Sequence, residues 1–478
     1  MNQAVDASDE AGAAMRDINS AAELQRALTY PLVRPDDPDY AAAVSCFNLA
    51  TKHEPDVVVF PTNGREVVAA VNWARDRALP IAVQATGHGH AETMYGGMLI
   101  NTSRMQEVQI KPIDRTATVG AGVKWKSVHE RSAMHGLFGL SGSTGDVGVV
   151  GYTLGGGLPV LGRAYGFAAD RVRECELVTV DGGLHTVNAE SDPELFELLR
   201  GGKGNLGIVT SMTFDLLPIG ALMAGGIMYP GADAAEVLSA FSEWTAALPL
   251  QASASVALLR VPDMPGVPMP LRKQFVAHLR FACECTTEEA DALLAPMRAV
   301  SNPIMDTVTS TTMLELDAVH MDPQDPLPFE DAGMLLREFG PEAQAALLQQ
   351  VGAGTNTPLL MAEVRLMGGA LAHSTAVAVR GSTSGHDAIT GRDAAFSLMA
   401  VGALTPTDAP NVRGALERLL EAMEPYGNGY TMVNFRGRLN GVTSHLHSWS
   451  PAVRARLARA KAHYDPGDLM HYGDSALA

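Results

Sequence analysis

Cysteine is scarce in this chain. Its 478 residues hold four, Cys46, Cys175, Cys283 and Cys285, with no C-x-x-C pair. That excludes a disulfide framework and a structural zinc ribbon, and it suits reduced thiols in a cytoplasm. Positive charge is also short: 35 Lys and Arg stand against 53 Asp and Glu, a formal net charge of −18. A phosphate backbone needs basic clusters and an anionic bilayer repels such a chain, so neither nucleic acid nor membrane is expected as a partner. No apolar run approaches the roughly 18 residues of a spanning helix. The first twenty residues carry acids and lack the apolar stretch of a secretory leader. Also missing are the G-x-S-x-G elbow, the Walker A loop and H-E-x-x-H, which removes the common hydrolase, kinase and metalloprotease signatures.

Glycine and apolar residues are plentiful. The chain is 46% apolar and 18% charged with 47 glycines, an ordinary globular mix. Its length predicts two or three domains at about 100–200 residues each. Residues 1–39 read as a polar lead-in, with order beginning near Tyr40. Val57-Val58-Val59-Phe60 is a short buried strand stopped by Pro61. Asn63 followed by Glu66 opens a helix whose face is Val67, Val71, Ala74 and Ala78. Pro80 ends it and Ile81-Ala82-Val83 is the next strand, completing a β-α-β unit. A helix over Trp125–His135 should end at Gly136, and another over Asp192–Leu199 should precede a glycine cluster. From about Gly220 the glycines thin out. Helical patterns such as Ala234–Trp244 then alternate with strand-like runs such as Ala254–Leu259 and Phe275–Phe281. A basic, amphipathic helix over Pro451–His463, capped by Ser450, closes the pattern.

Three glycine loops carry the chemistry. Gln84-Ala85-Thr86-Gly87-His88-Gly89-His90 follows a strand directly. Glycines there let main-chain N–H groups approach a pyrophosphate, and such nests hold anions without cationic side chains. The alternatives are a tight turn with two solvent histidines, or a His88-x-His90 metal pair that lacks a third ligand. The second loop, Ser141 to Gly157, places seven glycines in seventeen residues around Val147, Val149, Val150 and Leu154, which need burial. The third, Gly201-Gly202-Lys203-Gly204-Asn205-Leu206-Gly207, formally contains G-x-G-x-x-G. A helix precedes it and the strand Ile208-Val209-Thr210 follows, the reverse of the Rossmann context, so the dinucleotide fingerprint is rejected.

Together these loops resemble the vanillyl-alcohol oxidase / p-cresol methylhydroxylase flavoproteins, in their berberine-bridge-enzyme-like branch. The matching residues include Gly87-His88, then Val147-Gly148-x-x-Gly151-x-Thr153-Leu154-Gly155-Gly156-Gly157 and Tyr165-Gly166-x-Ala168-Ala169-Asp170. They continue through Arg200-Gly201-Gly202-x-Gly204-Asn205-x-Gly207, Val433-Asn434-Phe435 and Tyr464-Asp465-Pro466. The resemblance implies an α+β chain. A two-subdomain FAD-binding domain would span residues 40–217, and a substrate domain with an antiparallel sheet covered by helices would span 218–430. A C-terminal segment, 431–478, would return to the first domain. It implies FAD as cofactor, attached through His88, with His90 as the competing histidine. Thr144 stands where relatives with a second covalent link carry cysteine, so the expected attachment is single. The implied cofactor-binding residues are Gln84, Ala85, Thr86, Gly87, His88, Gly89, Ser143, Thr144, Val147, Gly148, Gly151, Gly155, Gly156, Gly207, Ile208, Val209 and Asn434. Gln84 replaces the family's usual arginine, which leaves phosphate neutralisation to backbone dipoles.

The implied activity is hydride removal from a small organic substrate, with O2 as electron acceptor and H2O2 as product. Valine at position 147 favours an oxidase over a dehydrogenase, because a small residue there is associated in this branch with oxygen access. An oxygenase or cyclase and a flavin-binding protein of little turnover are the other readings. The reaction needs a base in reach of the substrate. Glu363 is the first candidate and Tyr430 the second, although Glu363 and Arg365 alternate onto one strand face and can form an ion pair instead. Met264, Met269, Met305, Met313, Met334, Met361 and Met367 read as lining for an apolar or aromatic substrate, or as plain core. No metal is expected, and the chain is read as a monomer or homodimer.

Overall fold

The computed structural model describes residues 21–89, 93–263, 267–374, 387–437, 447–470 and 472; His90 and Met264 lie outside them. The architecture is α+β, with three sheets among the described residues. The first holds β1 (Val57–Val59), β2 (Ile81–Gln84) and β3 (Met98–Asn101), all parallel in the order β1-β3-β2. The crossover helix Gly64–Arg75 starts at Asn63, whose side chain accepts the Glu66 N–H, and it buries Val67, Ala70, Val71 and Ala74.

The second sheet is antiparallel: β4 (Val108–Lys111), β5 (Thr116–Gly120), β6 (Val172–Val178), β7 (Leu184–Asn188) and β8 (Ile208–Asp215), ordered β4-β5-β8-β6-β7. The helix Trp125–Ser132 continues as a 3-10 turn to His135 and stops at Gly136, whose φ of 62° is left-handed.

The third sheet contains β9 (Leu222–Pro230), β10 (Ala252–Arg260), β11 (Phe275–Cys283), β12 (Met305–Asp306), β13 (Thr309–Thr311), β14 (Phe329–Leu336), β15 (Leu359–Leu366) and β16 (Phe396–Ala403). Its order is β12-β9-β11-β10-β15-β16-β14, with β13 also on β9. One face, including Val256, Leu279, Val364 and Leu398, shares a core with the helices Ala234–Thr245, Thr287–Arg298, Pro341–Val351 and Ala409–Met423. Strand alternation sends Ser255, Arg280, Glu363 and Arg365 to the other face.

Two expectations change. Order begins before Tyr40: residues 21–27 are helical, Leu24 and Leu28 enter the core, and Val33 exchanges both backbone bonds with Val58. Two leucines four apart make one helix face, which the polar composition around them disguised. The C-terminal helix Pro451–Tyr464 fully buries only Leu457, packs Val453, Ala460 and Tyr464 beside it, and adds polar ties. Arg456 reaches Glu197 at 2.6 Å and the Tyr464 hydroxyl donates to Asp192 at 2.7 Å. Beyond it, the Leu469 carbonyl accepts the Ile81 N–H at 2.7 Å, at the start of β2. No helix among the described residues is long and apolar enough to cross a membrane.

Candidate functional site

The three glycine loops meet. The first leaves β2 and turns at Gly87, where φ is +69° and a Cβ would lie 2.7 Å from the Cys46 Cα; only glycine fits. The turn brings His88 back over its own loop, with Nδ1 2.9 Å from Thr86 Oγ1 and the ring stacked on Phe47 at 3.8 Å. The other nitrogen, Nε2, is buried and has no hydrogen-bond partner among the described residues. Burial, then the nearby Lys124 charge, lowers the His88 pKa to about 4. The imidazole is therefore neutral at ordinary pH and carries an uncommitted nitrogen. Gln84 does not face this site: its amide donates to the Ser45 carbonyl at 2.7 Å and accepts from Cys46 Sγ at 3.2 Å.

The second loop is more structured than its glycines suggested, because Val149–Leu154 is helical. Ala85 and Thr86 of the first loop approach Gly148 of the second, at 3.5 Å from Thr86 Cγ2 to the position of a Cβ there. Val147 is half-buried against the core, and its carbonyl accepts the Trp125 N–H. Ser143 is half-buried, and the Thr144 hydroxyl accepts the Asp146 N–H at 3.3 Å. Gly207, Ile208 and Val209 enter β8, and both side chains are core. Only their main chain is left to face a ligand.

Lys203, from the third loop, ties the pieces together. Its Nζ donates to the Gly151 carbonyl at 3.2 Å and to Asn434 Oδ1 at 2.6 Å, and it lies 3.8 Å from where a Gly89 Cβ would stand. Asn434 Nδ2 in turn donates to the Tyr152 carbonyl at 2.9 Å. A Cβ on Gly155 would come within 2.1 Å of Asn434 Oδ1, so this glycine makes room for the C-terminal segment. Burial of the ammonium lowers the Lys203 pKa to about 8, and both of its acceptors are neutral. Gly156 lies next to this junction, beside Ile389 and Phe167.

The free face of the third sheet carries a charged cluster. Register sets Arg280 of β11, Ser255 of β10, Arg365 of β15 and Ser397 of β16 in one cross-strand row. His278, Ala257, Glu363 and Met399 form the next. Glu363 accepts from Ser255 Oγ at 2.6 Å, from Arg280 Nη1 at 2.9 Å and from Arg365 Nη2 at 3.2 Å. Burial opposes the charge, but the Arg365 and Arg280 guanidiniums outweigh it and hold the carboxyl well below its usual range. The ion pair expected as the alternative is present, and a carboxylate so held is a weak base. Tyr430 is half-buried against the cluster of Leu335, Met367, Leu371 and Met432.

Comparison with known proteins agrees with this arrangement. A family profile described as an FAD binding domain matches residues 55–188. An FAD-linked oxidoreductase of Bacillus subtilis, YgaK, is 33% identical over 224 residues, 45% of this chain and 50% of the relative. The chain spans about half the length of the curated relatives it matches. BBE-like 1 of Physcomitrella patens superposes with a TM-score of 0.79 at 19% identity, over 94% of this chain and 97% of the other. The glucooligosaccharide oxidase of Acremonium strictum, described with a 6-S-cysteinyl, 8α-N1-histidyl FAD, gives 0.79 at 16% identity, over 94% and 98%. The chain carries an FAD binding domain in the berberine-bridge-enzyme-like fold.

Within that fold, sequence reasoning missed Lys203, Arg280 and His320. Lys203 was in plain view as the x of Gly-Gly-x-Gly-Asn, and it sets an ammonium between the first and second loops, beside Gly89 and Gly151. Arg280 is a strand alternation away from His278, and that signal was available. The methionines do not line one pocket: Met334 faces the helices, Met313 and Met367 lie in two other cores, and Met269 is 74% exposed. Met305 packs in a further small cluster, and Met361 sits with Sδ 3.8 Å from Arg280 Nη2.

Proposed function

We propose that the chain is an FAD-dependent oxidase, with the cofactor held covalently through His88, that takes a hydride from a small organic molecule and passes the electrons to O2. The observation that carries this reading is the state of His88. It is a neutral imidazole with one nitrogen anchored on Thr86 and the other, buried Nε2, uncommitted, at the convergence of three glycine loops. The residues fit the group. Gly145 and Asp146 spend their N–H groups on Asp317 and Thr144, so the backbone of 85–89 with Ser143, Thr144, Val147 and Gly148 would supply N–H donors for a pyrophosphate, the main chain of Gly207, Ile208 and Val209 would add to the cradle, and Lys203 would contribute a positive charge. Asn434 and Gly155 close the junction from the C-terminal side. Bound FAD supplies a two-electron acceptor.

The chain's own part is to orient the substrate beneath the charged sheet face, exclude water there and accept the proton released with the hydride. Glu363 faces that side, and its commitment to two arginines makes it better suited to fixing them than to basic work; Tyr430 is the other acceptor. Val147, half-buried at the second loop, supports the choice of O2 as electron acceptor.

Purified protein should be yellow, and acid precipitation should leave the colour in the pellet. His88→Ala should release it to the supernatant, and turnover of a true substrate should give H2O2. Colour that washes out of the wild type sinks the attachment. An oxygenated product without peroxide would replace the oxidase by an oxygenase.

A further inference from the structure

His88 is held by more than its own loop. Residues 46–48 lie flush against the turn at Gly87: the Phe47 N–H donates to the Thr86 carbonyl and the Asn48 N–H to the Gly87 carbonyl, each at 3.1 Å. The other edge of the same segment is tied to the approach of β14. There the Phe47 carbonyl accepts the Leu327 N–H at 3.1 Å, and the Leu49 N–H donates to the Leu327 carbonyl at 3.1 Å. Asn48, fully buried, donates from Nδ2 to the Phe329 carbonyl at 3.1 Å. Backbone bonds on both sides therefore fix where the Phe47 side chain starts.

That side chain goes to His88. The two rings stack at 3.8 Å between centroids and 11° between planes. Phe47 is half-buried, and among the described residues it belongs to none of the apolar cores of the molecule. A large aromatic outside every core does little to hold the sheets together; what its face covers is the imidazole. Stacking fixes the plane of the ring, and the 2.9 Å contact of Nδ1 with Thr86 Oγ1 fixes its rotation within that plane. The lone pair of an imidazole nitrogen lies in the ring plane, and bond formation needs the reacting orbitals aligned. A side chain that sets the plane therefore sets where a nucleophilic nitrogen can aim. A stacked neighbour covers a face of the ring and not the edge that carries the nitrogens.

We propose that Phe47 is a positioning residue for flavin attachment: its ring holds the His88 imidazole in the plane from which a nitrogen reaches the 8α-carbon of FAD. The proposal rests on the reading of His88 as the attachment residue. In that reaction an imidazole nitrogen bonds to the 8α-carbon as one methyl C–H bond breaks. The methyl proton, the imidazole proton and two electrons pass to the flavin ring, and O2 takes them off as H2O2. Phe47 exchanges nothing in these transfers and acts through His88 alone.

The full chain would be produced in flavin-starved cells, purified and given FAD. Total bound flavin, acid-precipitable flavin over time and the melting temperature would be followed together. Phe47→Leu keeps an apolar side chain without a plane, and Phe47→Tyr keeps the plane; Phe47→Met makes the same comparison should Phe47→Leu not fold. Phe47→Leu should bind FAD as wild type does and gain acid-stable flavin about two- to tenfold more slowly, the weight of one aromatic pair. Phe47→Tyr should restore the rate. Attachment at the wild-type rate in Phe47→Leu overturns the proposal, and so does a Phe47→Tyr protein as slow as Phe47→Leu. Loss of FAD binding in step with attachment overturns it too, because packing of the loop would then be the whole effect. A wild type that never gains acid-stable flavin is a separate outcome: it sinks the attachment through His88, and the proposal with it.

Discussion

Lys203 holds a charge that no carboxylate answers among the described residues, and its two acceptors are neutral oxygens. If a pyrophosphate is what it serves, dinucleotide and proton should bind together. The folded pKa of about 8 lies below the ordinary 10.5, so an incoming anion draws a proton onto the amine wherever the pH exceeds about 8. In a His88→Ala background, where FAD would bind reversibly, affinity should fall as pH rises above 8, approaching tenfold per unit at the steepest. Lys203→Met should bind more weakly at pH 7 and show a flat profile, as measured by fluorescence titration. Glu363 calls for the opposite kind of test. Glu363→Gln leaves Arg280 and Arg365 facing each other across a neutral amide, and breaking a buried pair costs about 3–5 kcal/mol. The wild-type carboxyl is held far below its unfolded value of 4.5. That stability is full above pH 4.5 and is lost as pH falls toward the folded pKa. A denaturant midpoint that drops sharply at pH 7, and much less at pH 3, is the expected result. A variant as stable as wild type whose flavin reduction collapses would restore Glu363 as the base.

At the scale of the element, the glycine loops were legible because each glycine does local work at a turn or close approach. The helix stop at Gly136, the caps at Asn63 and Ser450 and the helix start at Asp192 were legible for the same reason, whereas the helix expected to run to Pro80 with Ala78 on its face ends at Arg75 and leaves Ala78 outside it at φ +52°. The charged cluster was not. Arg280 and Glu363 are 83 positions apart and meet only because β10 pairs with β11 on one side and β15 on the other. Register over such distances is set by the whole sheet and leaves no mark in a window of residues. The helix inside the second loop was hidden by its flanking glycines. Its C-terminal end makes a sharp test: Gly155→Ala would drive a methyl toward Asn434 Oδ1, where a Cβ has 2.1 Å of room. The segment carrying Asn434 must then shift, and the Asn434 contacts to Lys203 and Tyr152 should break. Limited proteolysis near residue 434 should accelerate and flavin retention should fall, whereas Gly136→Ala, with open space around its Cβ position, should keep flavin at wild-type level.

At the scale of the molecule, one arginine bridges distant parts of the chain. Arg392, just before β16, reaches Asp170 at 2.6 Å and Asp387 at 2.7 Å, and both carboxylates are nearly fully enclosed. Asp170 comes from the Tyr165–Asp170 motif, where it also accepts the Phe167 N–H. Burial already raises its pKa, and Arg392 is the main force opposing that rise. Arg392→Met would leave two buried acids side by side and cost about 3–5 kcal/mol. Without Arg392 the Asp170 carboxyl, already raised by burial, would bind a proton more readily in the folded state, so the loss should grow as pH rises and shrink toward pH 5. Thermal melts across that range, with wild type alongside, read the difference; a loss independent of pH would mean that Arg392 acts by packing alone.

The return of the C-terminal segment has a consequence for how the protein is made. A ribosome releases the three glycine loops long before it has synthesised Asn434, the helix Pro451–Tyr464 or Leu469, yet these late residues brace Lys203, the helix Pro193–Leu199 and the start of β2. Between the two lies the whole third sheet, β9 to β16. The early portion must therefore wait, incompletely braced, while some two hundred residues of another sheet are translated and folded beside it. The glycine loops and the start of β2 are fully braced only once the segment from Asn434 to Leu469 has left the ribosome.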